Sequence, residues 1–174
     1  MSEPFSRLVR VEAIPKDGQT VAIEASAAER EALAKLYKRP SIEALTAHLT
    51  LNRAAHGVVR VEGAVHGQLT QICVVSLEPF PGIVDEPIDV RFAPLTDTEA
   101  RRREPGEPLI FSIADEDEPD PIIDGKIDLG ALAAEFFALG LDPHPRKPGV
   151  AFEPPGEERE EEKVSPFSVL RKDR

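Results

Sequence analysis

Four histidines, one cysteine and a dense run of carboxylates are the side chains of this chain that could carry chemistry, and their spacing decides what each can do. His48, His56, His66 and His144 have the ring nitrogens of general bases or metal ligands, yet no CxxC or HExxH spacing joins them. His48 and His66 fall on the polar positions of alternating segments, where a solvated side chain is the expectation. Cys73 is the only cysteine, which excludes an intramolecular disulfide, fits a reducing cytoplasmic compartment and leaves the thiol to act as a small buried hydrophobe. Asp115-Glu-Asp-Glu-Pro-Asp120 has the carboxylate density of a calcium loop, but Pro119 takes the third ligand position and no glycine follows at the sixth. Mutual repulsion makes it a solvated loop instead. There is no GxSxG elbow and no phosphate-binding glycine loop. The expectation is a protein that is not an enzyme and has no cofactor and no bound metal.

Two segments invite a binding role. Pro143-His-Pro-Arg-Lys-Pro148 is a stiff extended stretch whose Arg146 and Lys147 could meet a groove or a phosphate, although a proline-braced link leaving a helix has the same composition. Pro166-Phe-Ser-Val-Leu170 places Phe167 and Leu170 behind the acidic Glu157 to Glu162 run, the form of a segment that orders on a partner, or else folds back on its own domain.

The elements that must position these residues follow from apolar periodicity. Leu8 to Ile14 and Thr20 to Glu24 flank the turn-prone Pro15-Lys-Asp-Gly18 and predict an opening pair of strands. Ser26 and Glu29 have capping-box spacing and open a helix over Ala27 to Lys38. From Leu45 the period becomes two, and Val59 to Val65 repeats it, so a hairpin pairing Leu49 with Val61 and Thr50 with Arg60 is expected. Gln68 to Leu77, with its continuous Ile72-Cys73-Val74-Val75 run, predicts a strand covered on both faces. Ile88, Val90 and Phe92 predict another strand, and Leu109 to Ile113 a further one. Asp124-Gly125 signals a turn, and Asp128 caps a helix to about Leu141 with Leu129, Leu132, Phe136 and Leu139 on one stripe.

Bulk properties narrow the class. A chain of 174 residues suits one domain, expected over 1–152, with 153–174 as a disordered acidic tail. No apolar run approaches the roughly 18 residues of a membrane span, and no basic region followed by an apolar stretch opens the chain, so no membrane partner is expected. The net charge of -11 opposes the counterion release behind most nucleic-acid affinity, so any RNA contact is expected to be local or indirect. Residues 1–92 carry -2 of that charge and residues 93–174 carry -9; the second half also holds most of the 17 prolines.

Taken in order, several of these segments resemble the YceD family of large ribosomal RNA subunit accumulation proteins. The resemblance rests on Phe5-Ser-Arg7, on Gln71-Ile-Cys-Val-Val-Ser-Leu-Glu-Pro79 leading into Val84-Asp-Glu-Pro-Ile-Asp-Val-Arg-Phe92, on Gly125-Lys-Ile-Asp-Leu129, on Asp142 to Gly149 and on Ser165 to Leu170. It implies a part in the synthesis, processing or stability of large-subunit ribosomal RNA. Many relatives carry Cys-x-x-Cys at the strand where this chain reads Cys73-Val-Val-Ser76. A neutral hydroxyl replaces thiolate poorly, so the family's zinc is not expected here.

The fold expected is α+β: a twisted antiparallel sheet or partly closed barrel of about six strands, with two packed helices. The function expected is that of a non-enzymatic ribosome-biogenesis factor. Its acidic half would engage a basic ribosomal or ribosome-assembly protein, with ribosomal RNA touched directly or indirectly through Arg146 and Lys147. The alternatives are a direct RNA-binding or RNA-processing protein using His48, His66 and Arg60, and a structural domain without a stable partner.

Overall fold

The longest alternating stretches become the longest strands. The protein is described by a computed structural model over residues 4–94 and 119–152. Strands β1 (Leu8–Arg10), β2 (Gln19–Glu24), β3 (Ser41–Arg53), β4 (Val59–Ile72), β5 (Pro79–Pro94), β6 (Asp120–Ile122) and β7 (Lys126–Asp128) are joined by helices α1 (Ala27–Leu36) and α2 (Leu129–Leu139). One sheet has the order β2-β3-β4-β5-β6, antiparallel except that β6 pairs parallel with the end of β5; β1 and β7 form a separate antiparallel ribbon. The architecture is α+β with an open, mixed sheet. Its outer members β2 and β6 do not pair among the described residues, so the barrel option is not realised.

The period-two pattern sorts the two faces of the sheet. Leu45, Leu49 and Leu51 of β3 and Val59, Val61, Val65 and Leu69 of β4 are buried under the helices, against Leu33 of α1 and Leu129, Leu132 and Phe137 of α2. Each fully buried aliphatic side chain of this kind contributes about 1.5–3 kcal/mol. His48, Arg60, Asp85, Asp89 and Arg91 point from the opposite face into solvent. Helix α2 comes close to β4 because position 67 is glycine: a Cβ there would fall inside the ring of Phe137.

Both helix starts follow the sequence. Ser26 Oγ accepts from Glu29 N while Glu29 Oε2 accepts from Ser26 N, closing the capping box. Asp128 Oδ1 accepts from Gly130 N and Ala131 N at the head of α2. The two helix heads are tied together by Phe5-Ser-Arg7. Arg7 forms a bidentate pair with Glu29 (2.7 and 3.0 Å), its own backbone N donates to Asp128 Oδ1 (2.7 Å), and its guanidinium lies 4.8 Å above the Phe5 ring.

Four expectations are corrected. The opening hairpin does not form, because the chain turns through a 3₁₀ segment at Val11–Ala13 and β1 pairs with β7 instead of β2. In the β3–β4 hairpin Leu51, not Leu49, faces Val61, and Asn52 faces Arg60. The loop closes by Ala54 N donating to Val58 O, with His56 and Gly57 at positive φ, which fixes a register two residues from the expected one and leaves the buried face unchanged. The Gln68 to Leu77 segment is not a strand of its own: β4 continues through His66 and Gly67 to Ile72, and Cys73 to Leu77 is the turn into β5. In α2 the buried stripe runs through Phe137, while Leu139 is 72% exposed.

Strand β5 accommodates three of its four prolines through parity. Its pairing with β4 is unbroken from Pro79 to Phe92, and Pro79, Pro81 and Pro87 all fall on odd positions. Since proline has no N–H, these positions must be the ones whose amides face away from β4, toward the side that is unpaired among the described residues. That side is thereby poor in donors, which disfavours pairing with another strand.

Candidate functional site

Two segments more than sixty residues apart meet at one end of the sheet. The first is the turn Cys73 to Glu78 between β4 and β5, held by Cys73 N donating to Glu78 O and Leu77 N donating to Cys73 O, both at 2.9 Å. The second is the proline-rich stretch after α2. Val74 N donates to Pro145 O (2.9 Å), Lys147 N donates to Cys73 Sγ (3.4 Å), and Lys147 Nζ pairs with Glu78 Oε2 (2.8 Å). The stretch is kinked to do this: Asp142 Oδ1 accepts from His144 N, and Val150 N donates to Lys147 O around Gly149 at positive φ.

Cys73 is fully buried at the centre of this junction. Its sulfur accepts from Ser76 N (3.4 Å) as well as from Lys147 N, and donation from Ser76 and Lys147 outweighs burial to bring the thiol from its ordinary 9.0 down to about 6. The sulfur therefore acts as a hydrogen-bond acceptor joining two loops, a use the hydrophobe reading did not include. The donor set does not suit zinc. Serine stands where a second thiolate would be needed, and no three His, Cys, Asp or Glu side chains converge among the described residues.

Beside the junction lies an open hollow of about 250 Å³. Its floor and walls are Ile72, Val74, Leu77, Pro40, Pro143 and Pro145, and its rim carries Lys38 and Arg39. Lys38 and Arg39 follow α1 in a Schellman turn, with Arg39 N donating to Ala34 O and Lys38 N to Lys35 O. Arg39 Nη2 donates to Asp142 O (3.0 Å), which fastens the α1 end to the proline-rich stretch, while its Nε is buried without an acceptor.

Of the residues singled out in the sequence, Lys147 is engaged by Glu78 and Arg146 is exposed next to it. Phe167 and Leu170, the acidic run before them, the Leu109 to Ile113 segment and most of the Asp115 to Asp120 loop lie outside the described residues. The histidines divide. His66 Nδ1 lies 2.5 Å from Asp85 Oδ1 across β4 and β5. His48 shares that face on β3, diagonal to His66 in the register and therefore about 7–8 Å away. Arg60 is six residues further along β4, roughly 20 Å from His66, and is held by Asp89 and Glu62. Lys38, Arg39 and Leu77 were missed because no motif marks them; only the pairing of a cationic Lys38-Arg39-Pro40 helix exit with an apolar turn, brought together by folding, makes them a site.

A family model described as Large ribosomal RNA subunit accumulation protein YceD matches residues 61–172. That interval takes in most of β4, the Cys73 turn, β5, α2 and the proline-rich stretch, so it includes both segments of the junction. Neither a search of curated proteins nor one of solved structures finds a match.

Proposed function

The chain belongs to the YceD family of large ribosomal RNA subunit accumulation proteins, and from that premise we propose that it supports accumulation of large-subunit ribosomal RNA as a binding protein, without an enzymatic step of its own. Its partner in this reading is a basic ribosomal or ribosome-assembly protein. The observation that carries the reading is the placement of charge: residues 93–174 hold -9 of the net -11, a field that attracts basic protein and repels bare RNA. Cys73, the chain's best intrinsic nucleophile, supports it too, because its sulfur is enclosed and occupied by backbone donors. The test is affinity capture of the full chain from native lysate with and without RNase. A basic protein retained after RNase treatment is the expected result, and recovery that disappears with the RNA would overturn it.

A second reading, direct RNA processing, is favoured by one observation: His66 is oriented by Asp85, with His48 diagonal to it on an exposed face. Incubation with precursor ribosomal RNA separates the two. Cleavage that is lost in His66→Ala or His48→Ala would establish the processing reading; an intact precursor is expected.

A further inference from the structure

We propose that the hollow between the exit of α1 and the Cys73 turn docks a short acidic segment of a partner protein, which inserts one apolar side chain between Val74, Leu77 and Pro143 and sets its carboxylates against Lys38 and Arg39. The cations of this surface ask for a ligand of opposite charge to the proposed basic partner, so the inference stands independently of that partner.

Charge complementarity commits the hollow to this occupant. In a chain of net charge -11, Lys38 and Arg39 have no carboxylate partner among the described residues; Arg39 is held by a neutral carbonyl, and its Nε has no acceptor. A partly enclosed guanidinium lacking a counter-charge is a favourable place for an incoming carboxylate. The walls supply the second half of the recognition. Ile72, Val74 and Leu77 are exposed around one turn, Leu77 at 74%, with Pro40, Pro143 and Pro145 opposite. At about 250 Å³ the hollow is smaller than the roughly 300–1,000 Å³ of small-molecule sites and suits a side chain. No aromatic residue lines it, so RNA bases would find no stacking platform.

Backbone strain marks the same place. Leu77 (φ 60°), which borders the hollow, holds a left-handed conformation unfavourable to its type, whereas the φ of 54° at Lys38 belongs to the Schellman turn that ends α1. Leu77 makes no burial gain for this strain, since its side chain projects outward. Such outliers collect where a side chain must be presented.

The test uses the full chain labelled for amide NMR and a synthetic peptide in which glutamates flank a Leu-Leu pair, with the glutamine version as control. Saturable shifts are expected at Lys38, Arg39 and Val74 to Leu77, weaker with the glutamine peptide and at high salt. Leu77→Asn and Lys38→Asn remove the anchor contact and the charge while asparagine tolerates the left-handed backbone; Arg39→Gln removes the other charge. Leu77→Asn and Lys38→Asn should each weaken binding by about tenfold, with the spectrum otherwise unchanged, whereas Arg39→Gln should weaken binding and also shift the amides around Asp142 that its guanidinium holds. Absence of shifts at these amides, equal affinity in the variants, or tighter binding of a uridine oligonucleotide to the same amides would each overturn the proposal.

Discussion

At the scale of single residues, the side chains with the strongest chemistry are used to hold loops and helix ends. Glu29 is the plainest case: its bidentate pair with Arg7 and its bond from Ser26 bring its carboxyl from an ordinary 4.5 to about 2. A carboxylate whose acidity is raised by folding stabilises the fold above its unfolded value, and that contribution fades as the pH falls through its folded value. Unfolding by urea should therefore show stability declining between pH 4.5 and about 2, and Glu29→Gln should flatten that decline. Arg7→Ala should cost about 1 kcal/mol, because partial exposure screens the pair. Cys73 gives the second residue-scale prediction. Its lowered thiol places stabilisation above pH 9.0 and removes it as the pH falls to about 6, so thiolate absorbance in the folded protein should rise with a midpoint near 6. Cys73→Ala should lower the melting temperature by leaving Ser76 N and Lys147 N without their acceptor, and an unchanged melting temperature would contradict the junction role.

At the scale of elements, close approach and proline parity decide the packing. Helix α2 can lie on β4 only because Gly67 leaves room for the Phe137 ring. Gly67→Ala should destabilise by about 1–3 kcal/mol, since ring and backbone must both shift; chemical denaturation would measure it, and a neutral result would show that the helix can ride outward freely. Element types were largely legible from the sequence. The capping box at Ser26 and Glu29, the cap at Asp128 and the alternation in β3, β4 and β5 were all readable, because each is a local pattern with a local energetic reason. Pairing was not. Leu8 to Arg10 looks like half of a hairpin with Thr20 to Glu24, yet it bonds to Lys126–Asp128, and nothing within the segment encodes that choice.

At the scale of the whole molecule, charge is distributed unevenly along the chain. The cationic hollow sits beside the helix exit, whereas the acidity is concentrated in residues 93–174. On the proposed reading, a basic partner should be held by contacts that weaken with ionic strength. Retention after RNase treatment but release from the affinity resin by high salt is the expected pattern. A partner retained undiminished at high salt would assign the binding to apolar contacts instead.

The sequence by itself determined the helix caps, the faces of the strands, the exclusion of an intramolecular disulfide and the charge asymmetry, because these depend on residue type and on spacing within one element. It could not determine which strands pair, or that Cys73 would meet Lys147, because both are contacts between segments whose separation in the chain carries no record of their distance in space. The histidine reading shows the same limit. Period two put His48, His66 and Arg60 on one face; the run of β4 as one strand keeps Arg60 away from His66, and the β4–β5 register sets Asp85 beside the imidazole. Tertiary structure likewise decided the site itself: Lys38 and Leu77 are unremarkable until the Schellman turn and the Cys73 turn are folded against one proline-rich segment.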